Sequence, residues 1–197
     1  VILQSELAFD PAVHRYSLGG IQLPHVTRVL EHAGLVDYRF LGANREVYLE
    51  RGRLVHQATA DYDQGCLVES SVPPEILGYL GAWRAFRRDY GFVPSLIEYR
   101  VCHRQLSYAG TLDRVGRIGD GTELLIDIKS GVAPSAVSVQ LAAYAACLPH
   151  PRARLRRCVE LHGDGTYRVI PYETSAYQRD FNAFLAALET FRAKEEK

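Results

Sequence analysis

The sequence predicts a single mixed α/β domain, and three observations carry that prediction. Apolar residues make up 47% and charged residues 23% of 197 positions, a globular composition on a chain long enough to bury one core. Hydrophobic periodicity switches along the chain between the 3.6-residue spacing of helices and the two-residue alternation of strands. No internal repeat, low-complexity tract or linker interrupts it, so residues 1–197 are expected to form one domain, with a hairpin and helical portion over 1–92 and a sheet core over 93–197.

Phe9–Leu23 reads as a short hairpin: Tyr16 and Leu18 precede Gly19-Gly20, Ile21 and Leu23 follow, and Pro24 closes it. A short helix follows near Val26–Ala33. Helical spacing over Leu41–Gln64 puts Val47, Tyr48, Leu54, Val55, Ala58 and Tyr62 on one stripe, with His56 on or beside it and Gly65 as the stop. Pro73-Pro74 opens a second long helix that runs to Tyr90, and Gly91 ends it. Ser95–His103, Leu106–Ile118 and Thr122–Lys129 read as successive strands, the last two joined at Gly119-Asp120-Gly121. Ala133–Leu148 is a helix, Ala153–His162 and Tyr167–Tyr172 are strands, and Ser175–Lys194 is a closing amphipathic helix.

Composition narrows the function classes. Apolar stretches fall far short of the roughly 20 residues of a membrane span, and no charged-then-apolar leader is present, so a cytoplasmic location without membrane contact is expected. Cys66, Cys102, Cys147 and Cys158 form no C-x-x-C pair, which argues for reduced thiols and against a zinc ribbon or disulfide framework. A formal charge of +0 excludes bulk electrostatic coating of nucleic acid and leaves room only for a local basic groove. Twenty arginines accompany only three lysines, and Lys129 is the one lysine ahead of the tail residues Lys194 and Lys197. A compact ammonium kept at one position among so many guanidinium groups points to a specific task.

Alternation along Thr122–Lys129 sends Asp127 and Lys129 to one face and Leu124, Ile126 and Ile128 to the other, into the core. A three-residue loop at Gly119–Gly121 pairs Ile118 with Thr122 and sets Asp113 opposite Asp127 on the same face. A two-residue loop at Asp120-Gly121 sets Asp113 opposite Ile128 instead, on the other face; the glycine-rich turn permits both, and the first gives both aspartates a use. Neighbouring carboxylates repel unless a cation lies between them, so Mg2+ or Mn2+ is the expected companion. Such an ion polarises a phosphoryl oxygen and acidifies a bound water, with Lys129 beside it to orient that water or stabilise transition-state charge. The bland alternative is a surface ion pair between Asp127 and Lys129 and a solvated Asp113.

Gly110-Thr111-Leu112-Asp113, then Asp127-Ile128-Lys129-Ser130, then Gln140-Leu141-Ala142-Ala143-Tyr144 together resemble the PD-(D/E)XK nuclease superfamily. More narrowly they resemble its RecB-type branch of phage, CRISPR-associated and mitochondrial genome-maintenance exonucleases. Arg51–His56 is similar to that branch's helical histidine motif, and Leu23–Leu30 to its N-terminal proline, valine-threonine and leucine segment. The matches span roughly residues 14–144; the final fifty residues match only in expected secondary structure.

The resemblance implies a restriction-endonuclease-like core: a central mixed β-sheet flanked by helices, with an N-terminal β-hairpin and helical extension. It implies Asp113 and Asp127 as metal ligands, Lys129 as the catalytic lysine, and His56 and the main-chain carbonyl of Ile128 as further ligands. Ser130, Gln140 and Tyr144 are expected to support the site or touch substrate. The implied activity is that of a Mg2+- or Mn2+-dependent deoxyribonuclease, an exonuclease or end-processing enzyme, on single- or double-stranded DNA. A homo-oligomer or a recombination-protein partner is compatible with it. The alternative is a silent nuclease-fold subunit, DNA-binding or structural, of a recombination or phage assembly complex.

The chain also departs from the family pattern. Ala60, with Asp61 beside it, stands where several relatives carry an acidic residue one turn beyond the histidine, so no additional metal contact from that helix is counted on, and Glu98 is either an outer ligand or solvent-facing. The cysteines do not fit an iron–sulfur arrangement, so no cluster is expected. For DNA contact the sequence offers Arg84, Arg87 and Arg88 on one helix face, and Arg152, Arg154, Arg156 and Arg157 after the motif helix. Trp83, Phe86, Tyr90 and Phe92 are either stacking platforms or core.

Overall fold

The computed structural model describes residues 6–36 and 45–195, and its chain builds two sheets. The first pairs β1 (Leu7–Asp10), β2 (Arg15–Leu18) and β3 (Ile21–Leu23) in antiparallel order. The expected hairpin is β2–β3, with Leu18 opposite Ile21 across the two glycines. β1 makes it a three-stranded sheet. Leu7 and Phe9 are too few to announce a strand by alternation, and they are ordered by packing around Tyr16 and Leu23.

Three helices follow: α1 (Val26–His32), α2 (Arg45–Gln64) and α3 (Pro74–Tyr90). The predicted start of α2 at Leu41 lies outside the described residues. α3 begins on a proline, whose missing N–H costs nothing in a first turn, and stops at Gly91 in the left-handed region, φ 59°.

The second sheet runs β4 (Val93–His103), β5 (Tyr108–Arg117), β6 (Glu123–Lys129), β7 (Leu155–Leu161) and β8 (Tyr167–Tyr172), adjacent in space as in sequence. All neighbours are antiparallel except β6 and β7, which are parallel and therefore need a crossover. That crossover contains α4 (Val137–Ala146), and α5 (Tyr177–Glu195) closes the chain. α4 is shorter than the Ala133–Leu148 expected. Pro134 disfavours helical geometry in the residue before it, and the Ala133 amide is tied at 2.6 Å to Glu160 on β7.

Helices cover the large sheet on both faces. On one, α1, α4 and α5 pack Val29, Leu141, Phe184 and Leu188 against Val115, Leu125 and Cys158. On the other, α2 and α3 pack Val55, Ile76, Trp83 and Phe86 against Leu124, Ile126, Ile128 and Val159. The helical portion of residues 1–92 is thus no appendage, because α2 and α3 form the layer without which the even-numbered face of β6 would meet water. No helix among the described residues is long and apolar enough to cross a membrane.

The predicted apolar stripe of α2 divides in two. Val55 and Ala58 are buried, whereas Val47 and Tyr48, two to three turns earlier, are 68% and 40% exposed. The helix outruns the sheet it covers.

Candidate metal centre and its lysine

The β5–β6 hairpin adopts the three-residue-loop register. Ile118 donates to the Thr122 carbonyl at 3.0 Å, and Arg114 faces Ile126, so the next step outward sets Asp113 across from Asp127. There the ladder ends although both strands continue. The Ile128 amide, without a main-chain acceptor on β5, is taken instead by Asp113 Oδ2 at 2.6 Å. A carboxylate substituting for a strand carbonyl needs that amide, and the parting strands leave an opening at the ends of β5 and β6.

A third carboxylate joins from β4. Glu98 lies between the pairs Ile97–Arg114 and Tyr99–Leu112, hence opposite Asp113, and its backbone sits in the left-handed region at φ 45°. A non-glycine residue there costs about 1–3 kcal/mol and persists only when its surroundings hold it. Here Arg114 and His56 hold it, each bonded to Glu98 Oε1, at 2.8 and 3.2 Å.

His56 reaches this row from α2. Its Nδ1 lies 3.2 Å from Glu98 and 3.8 Å from Asp113, and its Nε2 lies 3.2 Å from the Ile128 carbonyl. One ligand atom from each of His56, Glu98 and Asp113 fits within 4.8 Å of the others. Asp127 stands just outside that group. Its Oδ2 holds the Lys129 ammonium at 2.6 Å, while its Oδ1 is buried with no hydrogen-bond partner among the described residues.

The electrostatics follow from this crowding. Burial disfavours a charged imidazole, but Asp113 and Glu98 outweigh burial and the repulsion of Lys129, so His56 titrates at about 9 instead of 6.5. Burial, then the charges of Asp127 and Glu98, lift Asp113 to about 6 against the pull of His56 and Lys129. Burial raises Glu98 too, yet His56 and Arg114 bring its net shift below the ordinary value. Lys129 is held above its usual range by Asp127 and Asp113 despite burial. The pocket keeps its negative charge only while cations stay close.

Two further sequence-predicted residues, Gln140 and Tyr144, line one cavity of about 230 Å3 with His56, Glu98, Asp113 and Lys129. Gly110 makes the approach of Tyr144 possible, since a Cβ there would meet its ring at 2.7 Å. Ser130 follows Lys129 into a separate groove and gives its carbonyl to Arg51 at 2.8 Å.

The predicted basic and aromatic groups are placed otherwise. Arg84, Arg87 and Arg88 of α3 are each ion-paired, to Glu69, Asp63 and Asp89. Arg156 is buried against Asp180 and the Ser138 carbonyl, Arg154 pairs with Glu123, Arg152 bonds Gln178, and Arg157 donates to a main-chain carbonyl. Trp83, Phe86 and Phe92 are buried, so of the four aromatics only Tyr90, 39% exposed, could meet a base. These side chains serve the fold first.

Sequence reasoning missed two parts of the site. Arg114, wholly buried on β5 between Asp113 and Val115, bonds Asp63, Glu98, Thr59 and the Asp113 carbonyl and lies 5.6 Å from the Trp83 ring centre. A second charged residue directly after Asp113, inside a strand, was the available signal. The cavity's other wall is the small sheet and the start of α1: His14, Tyr16, His25 and Thr27, with Tyr16 bonded to Thr111 at 2.7 Å. Only membership of His25 and Thr27 in the Leu23–Leu30 segment hinted at it.

His25 makes this wall pH-sensitive. Its Nδ1 accepts the Arg28 amide at 3.3 Å and so caps α1, which only the neutral ring can do. Burial, with His14 and Arg28 nearby, lowers its pKa from 6.5 to about 4. The folded state therefore binds fewer protons than the unfolded chain between those values, and stability is full above pH 6.5 and falls as pH drops toward 4. His25→Asn keeps a capping oxygen but cannot titrate. Melting curves from pH 7 to 4.5 should show the wild type losing more than the variant, by about 1 kcal/mol, the usual worth of a cap; parallel losses would refute the assignment.

A scan of protein-family models gives no match for this chain, and a search of curated proteins gives none either.

Proposed function

We propose that this chain is a metal-dependent deoxyribonuclease with a PD-(D/E)XK-type, restriction-endonuclease-like core, acting in the cytoplasm as an exonuclease or end-processing enzyme. The observation that carries the reading is the row Glu98, Asp113 and Asp127 on three neighbouring strands, joined by His56 and the Ile128 carbonyl, with Lys129 at its end. Carboxylate and carbonyl oxygens with one imidazole suit Mg2+ or Mn2+, and the unpartnered buried Oδ1 of Asp127 fits a ligand awaiting a cation. Asp113, Asp127 and His56 would hold the ion, with Glu98 and the Ile128 carbonyl in support.

When bound, a divalent cation polarises a phosphoryl oxygen and acidifies a water. The protein's own part is orientation and charge. Lys129 presents an ammonium fixed by Asp127 toward the cavity, where negative charge develops on phosphorus-bound oxygens during hydrolysis. Gln140 and Tyr144 offer hydrogen bonds from the facing wall.

Purified protein incubated with linear DNA and Mg2+ or Mn2+ should shorten it, and Asp127→Ala should not. Equal behaviour of the two proteins across single-stranded and duplex substrates would remove the basis of the reading. Because imidazole prefers transition metals to Mg2+, calorimetry should find Mn2+ bound more tightly than Mg2+, and His56→Ala should shrink that preference. An unchanged preference would exclude His56 from the ligand set.

One observation favours a second reading, a nuclease-fold binding module with a silent site. The Lys129 ammonium and a protonated His56 already offset the carboxylates without any ion. DNA binding with neither metal binding nor cleavage would select it.

A further inference from the structure

The large sheet sets a row of alternating charge across its last three strands. Lys129 on β6 is the register partner of Glu160 on β7, and Glu160 is the partner of Arg168 on β8. Register partners send their side chains to the same face of a sheet, so a carboxylate lies between an ammonium and a guanidinium. Asp127, two residues before Lys129, shares that face. Lys129 therefore has two carboxylates as neighbours, one on its own strand and one on the next.

Its ammonium is bonded to Asp127 Oδ2 at 2.6 Å, and no ion pair joins it to Glu160 among the described residues. Glu160 is engaged from two other sides: Oε1 accepts the Ala133 amide and Oε2 the Arg168 Nε, both at 2.6 Å. The Glu160 side chain is buried, at 1% exposed, whereas that of Arg168 is 60% exposed. A buried carboxylate needs a cation, and here an edge strand supplies it from the solvent side. Without that guanidinium Glu160 would keep its charge beside Lys129, and the ammonium would be drawn off Asp127 toward it.

We propose that Arg168 is a positioning residue for Lys129: by engaging Glu160 it leaves the ammonium to Asp127 and directed into the cavity. The catalytic consequence rests on the nuclease reading, whereas the orientation of Lys129 does not.

The chain's three lysines, Lys129, Lys194 and Lys197, make that orientation readable. Protein labelled with 13C-lysine gives three Cε signals by NMR, and Lys129→Met identifies the one from the site. Arg168→Gln should move that signal, and Arg168→Lys should leave it near its wild-type position. Arg168→Gln combined with Glu160→Gln should return it, because the second change removes the attracting charge and keeps an oxygen for the Ala133 amide. Melting curves check that these variants stay folded.

In DNA hydrolysis with Mn2+, Arg168→Gln should lower kcat at least about ten-fold, since misplacing a reacting group by roughly 1 Å can cost about 10^2-fold. Mn2+ affinity should not fall, as it would in a site merely disrupted, and the double variant should recover activity. A Lys129 signal that Arg168→Gln does not move, or a loss that the double variant does not recover, overturns the proposal. If the wild type cuts no DNA, the nuclease reading falls, and the Lys129 signal alone still decides whether Arg168 orients it.

Discussion

Lys129→Met is expected to abolish DNA hydrolysis while leaving the chain folded. The methionine keeps an unbranched apolar stem of similar length and removes only the charge. The ammonium it replaces lies 2.6 Å from Asp127 Oδ2 and faces the cavity that His56, Asp113 and Tyr144 line. Removing one preorganised electrostatic contact to a transition state costs about 10^2–10^3 in kcat, and Lys129 is expected to lie at or beyond the upper end. Lys129→Arg should not restore activity, because a planar fork neither fits the ammonium's position nor presents charge at a point.

Stability behaves differently. Lys129→Met leaves the buried Asp127 carboxylate without its cation, a loss that Asp127→Asn in the same chain relieves. Melting temperature should therefore recover in the double variant while kcat does not. Recovery of both would make the pair structural.

Arg114→Leu is expected to be the most destabilising single change in the network around the site. Its guanidinium is fully buried and contacts Asp63 at 2.6 Å, Glu98 at 2.8 Å, Thr59 at 3.1 Å and the Asp113 carbonyl at 2.7 Å. Without it the Asp63 carboxylate, also buried, keeps only Arg87 and Trp83 as partners among the described residues. Breaking a buried ion pair from one side costs about 3–5 kcal/mol, which lowers Tm by roughly 6–20 °C in a chain of this size.

Arg114→Lys should recover part of the stability, since an ammonium restores the charge but cannot span four acceptors. The same residue holds Glu98 in its left-handed conformation, so Arg114→Lys should also weaken Mn2+ binding by roughly 10–100-fold, as loss of an outer partner does at metal sites. Full stability with intact Mn2+ affinity in Arg114→Leu would contradict both expectations.

Local patterns in the sequence carried the sheet and the odd-numbered face of β6. Asp127 and Lys129 on one side of Leu124, Ile126 and Ile128 follows from strand alternation, and the placement of Asp113 followed once loop length was resolved. What local patterns could not show was distance in sequence becoming contact. Asp63 meets Arg114 across 51 positions, and Tyr16 meets Thr111 across 95.

Glu98 stayed ambiguous for a related reason. Its left-handed backbone breaks the alternation on which a strand reading depends, so period alone could not say which way its side chain faced. The arginines of α3 read as a basic stripe because sequence displays charges without their partners. Asp63 and Glu69, both before the helix starts, neutralise two of them. Conversely the stripe on α2 overstated the core, since apolar spacing cannot reveal where a helix leaves the sheet it packs on.

The most direct measurement of the central claim is Mn2+ binding by isothermal titration calorimetry, comparing the wild type with Asp113→Asn and Asp127→Asn. Saturable binding by the wild type that either substitution weakens at least about ten-fold is the predicted result. No binding, or binding that neither substitution alters, would contradict a metal centre built on these strands.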